Sequence, residues 1–165
     1  MKNKEFTKKF PNGEQYQIVI DYLEKMDKKV KVLDVGAENK ILKLYGLNPN
    51  ITYHSLDYDK RFGKQTYFVD LNKFPYKIPD NSYDIIICLE VLEHTLYPKK
   101  VIEELIRISK KEKSIFFLSM PNDYNFYRRI LFLFNKKDWS EDKEPFLVVE
   151  NHHHIHHPRV GDILN

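Results

Sequence analysis

Residues 30–40 read V-K-V-L-D-V-G-A-E-N-K, and this stretch decides the fold of the chain. It begins as a run of β-branched and aliphatic side chains that is typical of a buried strand. The run breaks at Gly36, and apolar side chains then recur at helical spacing over residues 41–45. A single glycine after a strand often marks only a chain reversal. Together with the segments downstream, however, this strand, glycine turn and helix predict the first unit of a nucleotide-binding α/β fold.

Strands and helices alternate along the rest of the chain. Residues 58–65, between the second and third predicted strands, are too few for a crossover helix, so a turn or a helical fragment is expected there. The alternation predicts an α/β domain with a parallel, doubly wound sheet. The predicted strands are residues 30–35, 51–57, 66–70, 83–89 and 114–120, and the predicted helices are residues 14–28, 41–46 and 98–110.

The composition is that of one soluble globular domain. The 165 residues are 42% hydrophobic and 31% charged, and the net charge of +3 is too small to indicate nucleic-acid binding by itself. The one cysteine, Cys88, excludes an intramolecular disulfide and indicates a reducing compartment. No signal peptide is visible, and no apolar run reaches the ~20 residues that span a bilayer, so the sequence predicts a cytoplasmic protein.

Three aspartates stand at or near the ends of predicted strands. Asp57 follows Asp34 by 23 positions, where dinucleotide-binding folds place the acid that holds the ribose hydroxyls, and Asp59 takes this role if the strand ends two residues later. Asp34 precedes Gly36 and either caps the turn or accepts a hydrogen bond from a cationic amine. Asp70 either ends its strand as a turn residue or accepts a hydrogen bond from an adenine amino group.

Glu38 and Lys40 occupy positions where a glycine-rich loop would continue with glycines. A pyrophosphate needs backbone amides without negative charge nearby, so Glu38 argues against NAD, FAD and ATP. A cofactor that has a positive centre and no phosphate tolerates Glu38 better. S-adenosylmethionine, which carries an ammonium and a sulfonium, meets both conditions.

Residues 69–94 read V-D-L-N-K-F-P-Y-K-I-P-D-N-S-Y-D-I-I-I-C-L-E-V-L-E-H. This stretch resembles the third-strand acid, the following loop, the fourth strand and the E-V-L-E-H motif of the class I S-adenosylmethionine-dependent methyltransferases. The resemblance covers residues 30–122, and the segment after residue 121 is similar to the type-11, type-23 and MetW-like branches. It implies a Rossmann-like, doubly wound and mainly parallel sheet, with S-adenosylmethionine over the carboxyl ends of its first strands.

The resemblance also implies which residues surround the cofactor and the methyl acceptor. Glu93 and His94 lie on the acceptor side, where His94 either acts as a general base or, with Glu93, caps the following loop. Methyl transfer depends mostly on the alignment of donor and acceptor, so a base is optional. The implied cofactor-binding residues are Asp34 and Gly36 at the methionine end, Asp57 at the ribose, Asp70 and Leu71 at the adenine, and Leu89 and Glu90 at the cofactor's edge.

A single methyltransferase-like domain over residues 1–165 is expected to have three parts. Residues 1–13 form a flexible lead-in, residues 14–122 the cofactor-binding core, and residues 123–165 an acceptor-side or incomplete C-terminal segment. The histidine tract at residues 152–157 is interpreted as an acceptor-side loop. No metal site is predicted there, because zinc sites need a fixed geometry and usually a carboxylate or cysteine partner.

The sequence therefore predicts an enzyme that transfers a methyl group from S-adenosylmethionine to an unidentified acceptor, either a small molecule or a glycan- or lipid-linked metabolite. The alternative is a degenerate protein of the same fold that binds or assists a partner without catalysis. The sixth and seventh strands that are usual in the class are not expected after residue 120, so the chain is a shortened variant or a piece of a longer protein. The open sheet edge is then covered by self-association, as in a homodimer, or by an aromatic helix at residues 124–134. That helix either packs on the core or makes peripheral contact with a membrane.

Overall fold

The computed structural model of the chain describes residues 6–10, 13–111 and 113–120, and an all-parallel sheet of five strands forms their centre. The predicted Rossmann-like, doubly wound α/β sheet is therefore confirmed. The strands lie in the order β3-β2-β1-β4-β5. They are β1 (Val30–Val35), β2 (Ile51–Asp57), β3 (Tyr67–Phe68), β4 (Ile85–Leu89) and β5 (Ile115–Ser119), and the helices are α1 (Gly13–Leu23), α2 (Ile41–Tyr45) and α3 (Pro98–Ile108).

Alternating side chains along β1 and β4 divide the core between the two faces of the sheet. Every residue of β4 is buried, as its continuous apolar sequence predicts for a strand covered on both faces. Burial of each large aliphatic side chain contributes about 1.5–3 kcal/mol to folding. One face packs Leu33, Val35, Ile86 and Cys88 with Val101, Leu105 and Ile108 of α3, and the other packs Val32, Ile85, Ile87 and Leu89 with Tyr16, Val19, Ile20 and Leu23 of α1.

β3 is only two residues long, whereas the sequence predicts a strand over residues 66–70. β2 ends at Asp57, so the parallel ladder offers partners to only two residues of β3. Just before the ladder, Ser55 and Thr66 exchange two hydrogen bonds through their hydroxyls, since each backbone amide donates to the other side chain, at 3.1 and 3.2 Å. The connection from β2 contains a 3₁₀ turn at Lys60–Phe62, in agreement with the expected turn or helical fragment.

Two helices differ in detail from the sequence prediction. α1 ends at Leu23 instead of residue 28, and the chain then turns so that the carbonyl of Met26 accepts hydrogen bonds from the side chains of Asn48 and Asn50. The apolar residues of the helix at residues 98–110 predict that Ile106 lies on the inner face with Val101 and Leu105, but Ile106 is 57% exposed. It lies off the helical stripe that faces the sheet, which is too narrow to include every apolar residue of α3.

Arg107 on α3 fastens the loop between β3 and β4 to the core. Its guanidinium donates to the carbonyls of Tyr76 and Ile78, each at 3.0 Å, and pairs with the carboxylates of Glu104 and Asp80. Glu104 also accepts the amide of Tyr76 at 2.7 Å. The hydrogen bond from Arg107 lowers the pKa of the Glu104 carboxyl, which is consistent with a charged pair. The loop that carries Asp70 is thus held by charged groups of α3.

Residues 6–10, which fall in the predicted lead-in, pack against the core. Thr7 is buried within a 3₁₀ turn at Thr7–Lys9, and its hydroxyl donates to Gln17 of α1 at 3.0 Å. The ring of Phe6 contacts the rings of Phe10 and Tyr45. This part of the lead-in therefore covers one end of α1 and α2.

Three predictions concern residues 121–165, which lie outside the described residues. They are the aromatic helix at residues 124–134, the role of the histidine tract at residues 152–157, and the lack of a sixth and a seventh strand. Among the residues that the structure does describe, no helix combines the length and the apolar character that a membrane crossing requires.

Candidate cofactor-binding site

The carboxyl ends of β1, β2 and β4 meet at one edge of the sheet. β1 is central, because it pairs with β2 on one side and with β4 on the other. From β1 the chain adds β2 and β3 on one side. It then crosses to the other side of β1 and adds β4 and β5. Ligands of doubly wound sheets bind at this switch point, outside the carboxyl ends of the strands. The predicted site residues Asp34, Asp57 and Leu89 lie at or next to these strand ends.

The loop after β1 keeps a glycine-type backbone although only its first position is glycine. Gly36, Glu38 and Lys40 have φ angles of 65°, 35° and 53°, all in the left-handed region that favours glycine. Packing also requires Gly36, since a Cβ there would lie 2.5 Å from Cγ2 of Val91. A left-handed backbone costs a non-glycine residue about 1–2 kcal/mol, so contacts around the loop must stabilise it.

Hydrogen bonds from both sides stabilise this loop. The amide of Glu38 donates to Oδ2 of Asp57 at 3.0 Å, and the side-chain amide of Gln65 donates to the carbonyl of Glu38 at 3.2 Å. The ammonium of Lys40 donates to the carbonyls of Phe62 at 2.5 Å and of Glu38 at 3.3 Å. Sequence reasoning identified Lys40 only as a missing glycine, because no sequence signal pairs it with Phe62, 22 positions away.

Asp57 ends β2 at the predicted position and anchors the loop. The residue is 6% exposed, and its Oδ1 accepts the amide of Asp59 at 2.8 Å while its Oδ2 accepts the amide of Glu38. Each carboxylate oxygen can accept a second hydrogen bond, so the group keeps capacity for ligand hydroxyls. The carboxylate of Asp59 instead pairs with Arg61 at 2.5 Å, and this hydrogen bond lowers the pKa of Asp59. Of these two carboxylates, that of Asp57 is the one bonded to the loop after β1.

Asp34 is fully buried at the penultimate position of β1. Its Oδ2 accepts a hydrogen bond from the hydroxyl of Tyr53 at 2.7 Å, whereas its Oδ1 has no hydrogen-bond partner among the described residues. Burial raises the pKa of Asp34 to about 7, although the hydrogen bond from Tyr53 lowers it, and Asp57 raises it further. A buried acceptor without a partner in the protein is suited to a donor that a ligand supplies.

Asp70 and Leu71 follow β3 in a local turn. The carboxylate of Asp70 accepts the amide of Asn72 at 3.0 Å and pairs with Lys73 at 3.3 Å, and its side chain is 41% exposed. The carbonyl of Leu71 accepts the hydroxyl of Tyr76 at 2.9 Å. Asp70 therefore makes the contacts of a turn residue, which is one of its two predicted roles. Its carboxylate is also exposed to solvent, so it can accept a further hydrogen bond.

Glu90 follows Leu89 at the end of β4 and has a left-handed backbone, with a φ of 55°. Its Oε1 accepts hydrogen bonds from the hydroxyl of Ser119 at 2.7 Å and from the side-chain amide of Gln15 at 3.1 Å. Gln15 and Ser119 also contact each other at 2.7 Å across 104 positions of sequence. Sequence reasoning missed both residues, since only the sheet order brings β5 and α1 together here. The cluster fixes the direction of the Glu90 carboxylate at the end of β4.

Glu93 and His94 lie in the 3₁₀ turn Leu92–His94, directly after β4 and Glu90. Glu93 is 1% exposed, and its Oε1 lies 3.9 Å from Nε2 of His94, whose side chain is 38% exposed. Burial and the charge of Asp57 raise the pKa of Glu38, while His94 lowers it. The charge of His94 is therefore close enough to Glu38 to influence the pKa of its carboxyl.

The donors and acceptors at this edge fit S-adenosylmethionine better than a phosphate-bearing cofactor. Asp34 provides a buried acceptor, and Asp57 keeps acceptor capacity beside the loop. The one cation of the loop, Lys40, is already bonded to two carbonyls, and Glu38 adds negative charge, so the loop offers little to a pyrophosphate. Within the described ranges, no group of three or more His, Cys, Asp or Glu side chains is arranged to hold a metal ion.

Comparisons with solved structures show the fold. A Bacillus halodurans protein assigned as a methyltransferase has a TM-score of 0.57 and 16% sequence identity, over 92% of this chain and 64% of that chain. The CurJ carbon methyltransferase has a TM-score of 0.51 and 18% identity, over 81% of this chain and 40% of that chain. Against three further structures, this chain spans only 41%, 48% and 52% of their lengths.

Comparisons with protein families identify the group to which the chain is related. A search of curated protein sequences found no match. A family model described as a methyltransferase domain, of type 23, matches residues 10–162, which include all of the strands and helices described above. The family match and the hydrogen-bonding groups at the site both indicate S-adenosylmethionine as the cofactor. The chain therefore belongs to the methyltransferase domain family.

Proposed function

We propose that this chain binds S-adenosylmethionine at the carboxyl edge of β1, β2 and β4 and transfers its methyl group to a small molecule or to a glycan- or lipid-linked metabolite. The observation that carries the proposal is the loop after β1. Its backbone keeps left-handed conformations at Glu38 and Lys40, and its amide at Glu38 is anchored on the strand-end acid Asp57. The loop thus retains the geometry of a cofactor-binding turn where the glycines themselves are absent.

Each acidic residue of the site has a distinct role in binding. Asp34 would hold the ammonium of the cofactor through its unpartnered oxygen, and Asp57 would hold the ribose hydroxyls. Asp70 and Leu71 border the adenine, with the exposed carboxylate of Asp70 accepting its amino group. Glu90, held by its neighbours on β5 and α1, borders the methionine end. S-adenosylmethionine, when bound, supplies an electrophilic methyl group on a sulfonium.

The acceptor approaches from the side of the turn after β4. Gly36 and Val91 pack closely there, which sets the distance between the loop after β1 and the turn that carries Glu93 and His94. His94 is partly exposed and accepts a proton from the acceptor where the acceptor carries one, while the buried Glu93 orients its ring. Alignment of donor and acceptor supplies most of the rate, so loss of His94 slows transfer without abolishing cofactor binding.

Calorimetry with S-adenosylmethionine and with S-adenosylhomocysteine tests the proposal directly. The folded wild-type chain is expected to bind both, because both carry the ammonium, ribose and adenine that the site recognises. Transfer is then tested with methyl-labelled S-adenosylmethionine and panels of small metabolites, glycans and lipid-linked sugars. A chain that gives a folded circular-dichroism spectrum but binds neither compound would refute the proposal.

A second candidate function is a binding or partner role without catalysis. The observation that favours it is the closure of the loop by side chains, since Lys40 and Gln65 both bond to carbonyls where glycine loops leave open backbone. This function predicts a folded chain with no measurable affinity for either compound. The same calorimetric titration therefore distinguishes the two functions.

A further inference from the structure

Tyr53 and Asp34 form a buried hydrogen-bonded pair at the candidate site. The Tyr53 hydroxyl lies 2.7 Å from Oδ2 of Asp34, and Asp34 is fully shielded from solvent. In the register of β1 and β2, Tyr53 is opposite Val32, two residues before Asp34. Because side chains alternate along strands, Val32 and Asp34 point to the same face of the sheet, the face that α1 covers. The strand register therefore dictates this pair.

We propose that Tyr53 is a positioning residue that fixes one oxygen of Asp34, leaves the other for the ammonium of S-adenosylmethionine, and so couples cofactor binding to release of the Asp34 proton. The inference rests on the proposed function, which it deepens. Oδ2 of Asp34 accepts the hydrogen bond from Tyr53, and Oδ1 has no partner in the described part of the chain. Asp34 is therefore held in one orientation, with Oδ1 as the acceptor left for a ligand.

Titratable groups on three elements interact electrostatically with Asp34, and none of them is a cation. They are Tyr16 of α1, Tyr53 and Asp57 of β2, and Cys88 of β4. Burial raises the pKa values of Tyr16, Tyr53 and Cys88, so these three groups stay protonated near neutral pH. None of the four balances a negative charge on Asp34, which burial keeps protonated up to about pH 7.

A cation beside Asp34 reverses this preference. An opposite charge within hydrogen-bond distance favours the ionised carboxyl and lowers its pKa. When the ammonium approaches the protonated group, the carboxyl O–H bond breaks, the proton goes to solvent, and the carboxylate accepts an ammonium N–H. No bond of the cofactor changes. Binding below pH 7 therefore releases one proton, and affinity rises with pH until Asp34 is already ionised in the free protein.

The test counts protons during binding of S-adenosylhomocysteine, which retains the ammonium. Calorimetry is repeated between pH 5.5 and pH 8.5 in buffers of different ionisation enthalpy. We expect wild type to release close to one proton at the acidic end and far less at the alkaline end. Tyr53→Phe removes a hydrogen bond that lowers the pKa of Asp34. Its affinity should then fall about tenfold below wild type at pH 6 for each unit of pKa gained, and approach wild type at pH 8.5.

Two further variants make the result specific to the pair. Asp34→Asn should lose the proton release, because the amide has no proton to give in this range. Tyr67→Phe is the matched control, since it removes a tyrosine hydroxyl of β3 that accepts a hydrogen bond from Tyr83, just before β4. Its pH profile should follow wild type. If Tyr53→Phe does not fold, the wild-type proton count and the loss of release in Asp34→Asn decide the question.

Three results would overturn the inference: wild-type binding without proton release, release that persists in Asp34→Asn, or an equal loss of affinity at every pH in Tyr53→Phe. A folded wild type that binds at no pH would instead refute the proposed function. In that case, carbon-13 NMR titration of the Asp34 carboxyl in the free protein tests whether Tyr53 lowers the pKa of Asp34. A midpoint near neutrality that Tyr53→Phe moves upward supports the pair, and an ordinary aspartate midpoint contradicts it.

Discussion

The ammonium of Lys40 lies 2.5 Å from the carbonyl oxygen of Phe62 and 3.3 Å from that of Glu38. It joins the loop after β1 to the 3₁₀ turn after β2, on either side of the proposed ribose position. Hydrogen bonds to a charged donor contribute roughly 1.5–3 kcal/mol each in proteins. They are therefore large enough to offset the about 1–2 kcal/mol that a left-handed backbone costs a lysine.

Replacing Lys40 should destabilise the protein to a degree that depends on the replacement. Lys40→Met keeps the length and the backbone cost but removes the donor, so we expect a loss of at least the roughly 1.5–3 kcal/mol of one such hydrogen bond in the free energy of unfolding. Lys40→Gly removes the donor and the backbone cost together, and its loss should be smaller. Urea denaturation measures both, with Lys43→Met on α2 as the control. Wild-type stability in Lys40→Met would show that the bridge contributes nothing.

Glycine at position 38 should stabilise the loop without abolishing cofactor binding. Glu38 has a φ of 35°, and its charge lies near Asp57, so Glu38→Gly removes both a backbone cost and a repulsion. We expect a gain of about 0.5–1 kcal/mol in the free energy of unfolding and an affinity for S-adenosylhomocysteine at least equal to wild type. Glu38→Ala is the matched variant, because it removes the charge but keeps a Cβ. Loss of all affinity in a folded Glu38→Gly chain would mean that the carboxylate itself contacts the ligand.

Substitution of Asp57 should weaken cofactor binding far more than substitution of Asp59. Asp57→Asn removes the charged acceptor that anchors the loop and receives the ribose hydroxyls, with an expected loss of about 1.5–3 kcal/mol in binding free energy. Asp59→Asn weakens the pair with Arg61 and the cap of the 3₁₀ turn after β2, and it leaves the anchor of the loop at Glu38 in place. Calorimetry of the two variants under one condition gives the ranking, and the opposite order would move the ribose site to Asp59.

Acid should destabilise the fold through His54. Burial, and then the charge of Lys31, lower the pKa of His54 in the folded state below the value of about 6.5 in the unfolded chain. The unfolded chain thus binds more protons between these two values, and stability falls as the pH drops from 6.5 through the folded pKa. Thermal melts of wild type and His54→Gln from pH 7.5 to 5 isolate this contribution, because Asp34 has the opposite pH dependence and is common to both. Parallel curves would contradict the prediction.

The central strands can be predicted from local sequence, because apolar and β-branched residues recur along their whole length. The run at residues 51–57 predicts β2 with its observed ends, and the apolar residues of β4 predict burial on both faces. The length of β3 and the end of α1 do not follow, because they depend on partners that are distant in sequence. β3 ends where β2 stops offering a ladder, and α1 ends at Leu23, shortly before Met26, whose carbonyl accepts hydrogen bonds from Asn48 and Asn50.

The site is predictable in its positions but not in its contacts. Asp34 and Asp57 are located by their places at strand ends, which parallel topology brings to one edge of the sheet. The partner of Asp34 is a tyrosine on the neighbouring strand, and only the register of two strands selects Tyr53 for this role. The left-handed backbone of Glu38 and Lys40 is likewise invisible in a sequence that lacks the glycines which normally announce it.

The hydroxyl exchange between Ser55 and Thr66 ends the β2–β3 ladder with side-chain oxygens in place of carbonyls. A strand from another molecule extends a sheet by pairing with a continuous row of backbone amides and carbonyls. At this side of the sheet the row is interrupted at Ser55, and β3 adds only two residues to it. The exposed aromatic side chains of Tyr58 and Phe68 follow Ser55 and Thr66 by three and two positions, so apolar surface is present here without a continuous row of backbone groups for a new strand to pair with. The outer edge of β3 should therefore resist aggregation by strand addition despite its apolar surface.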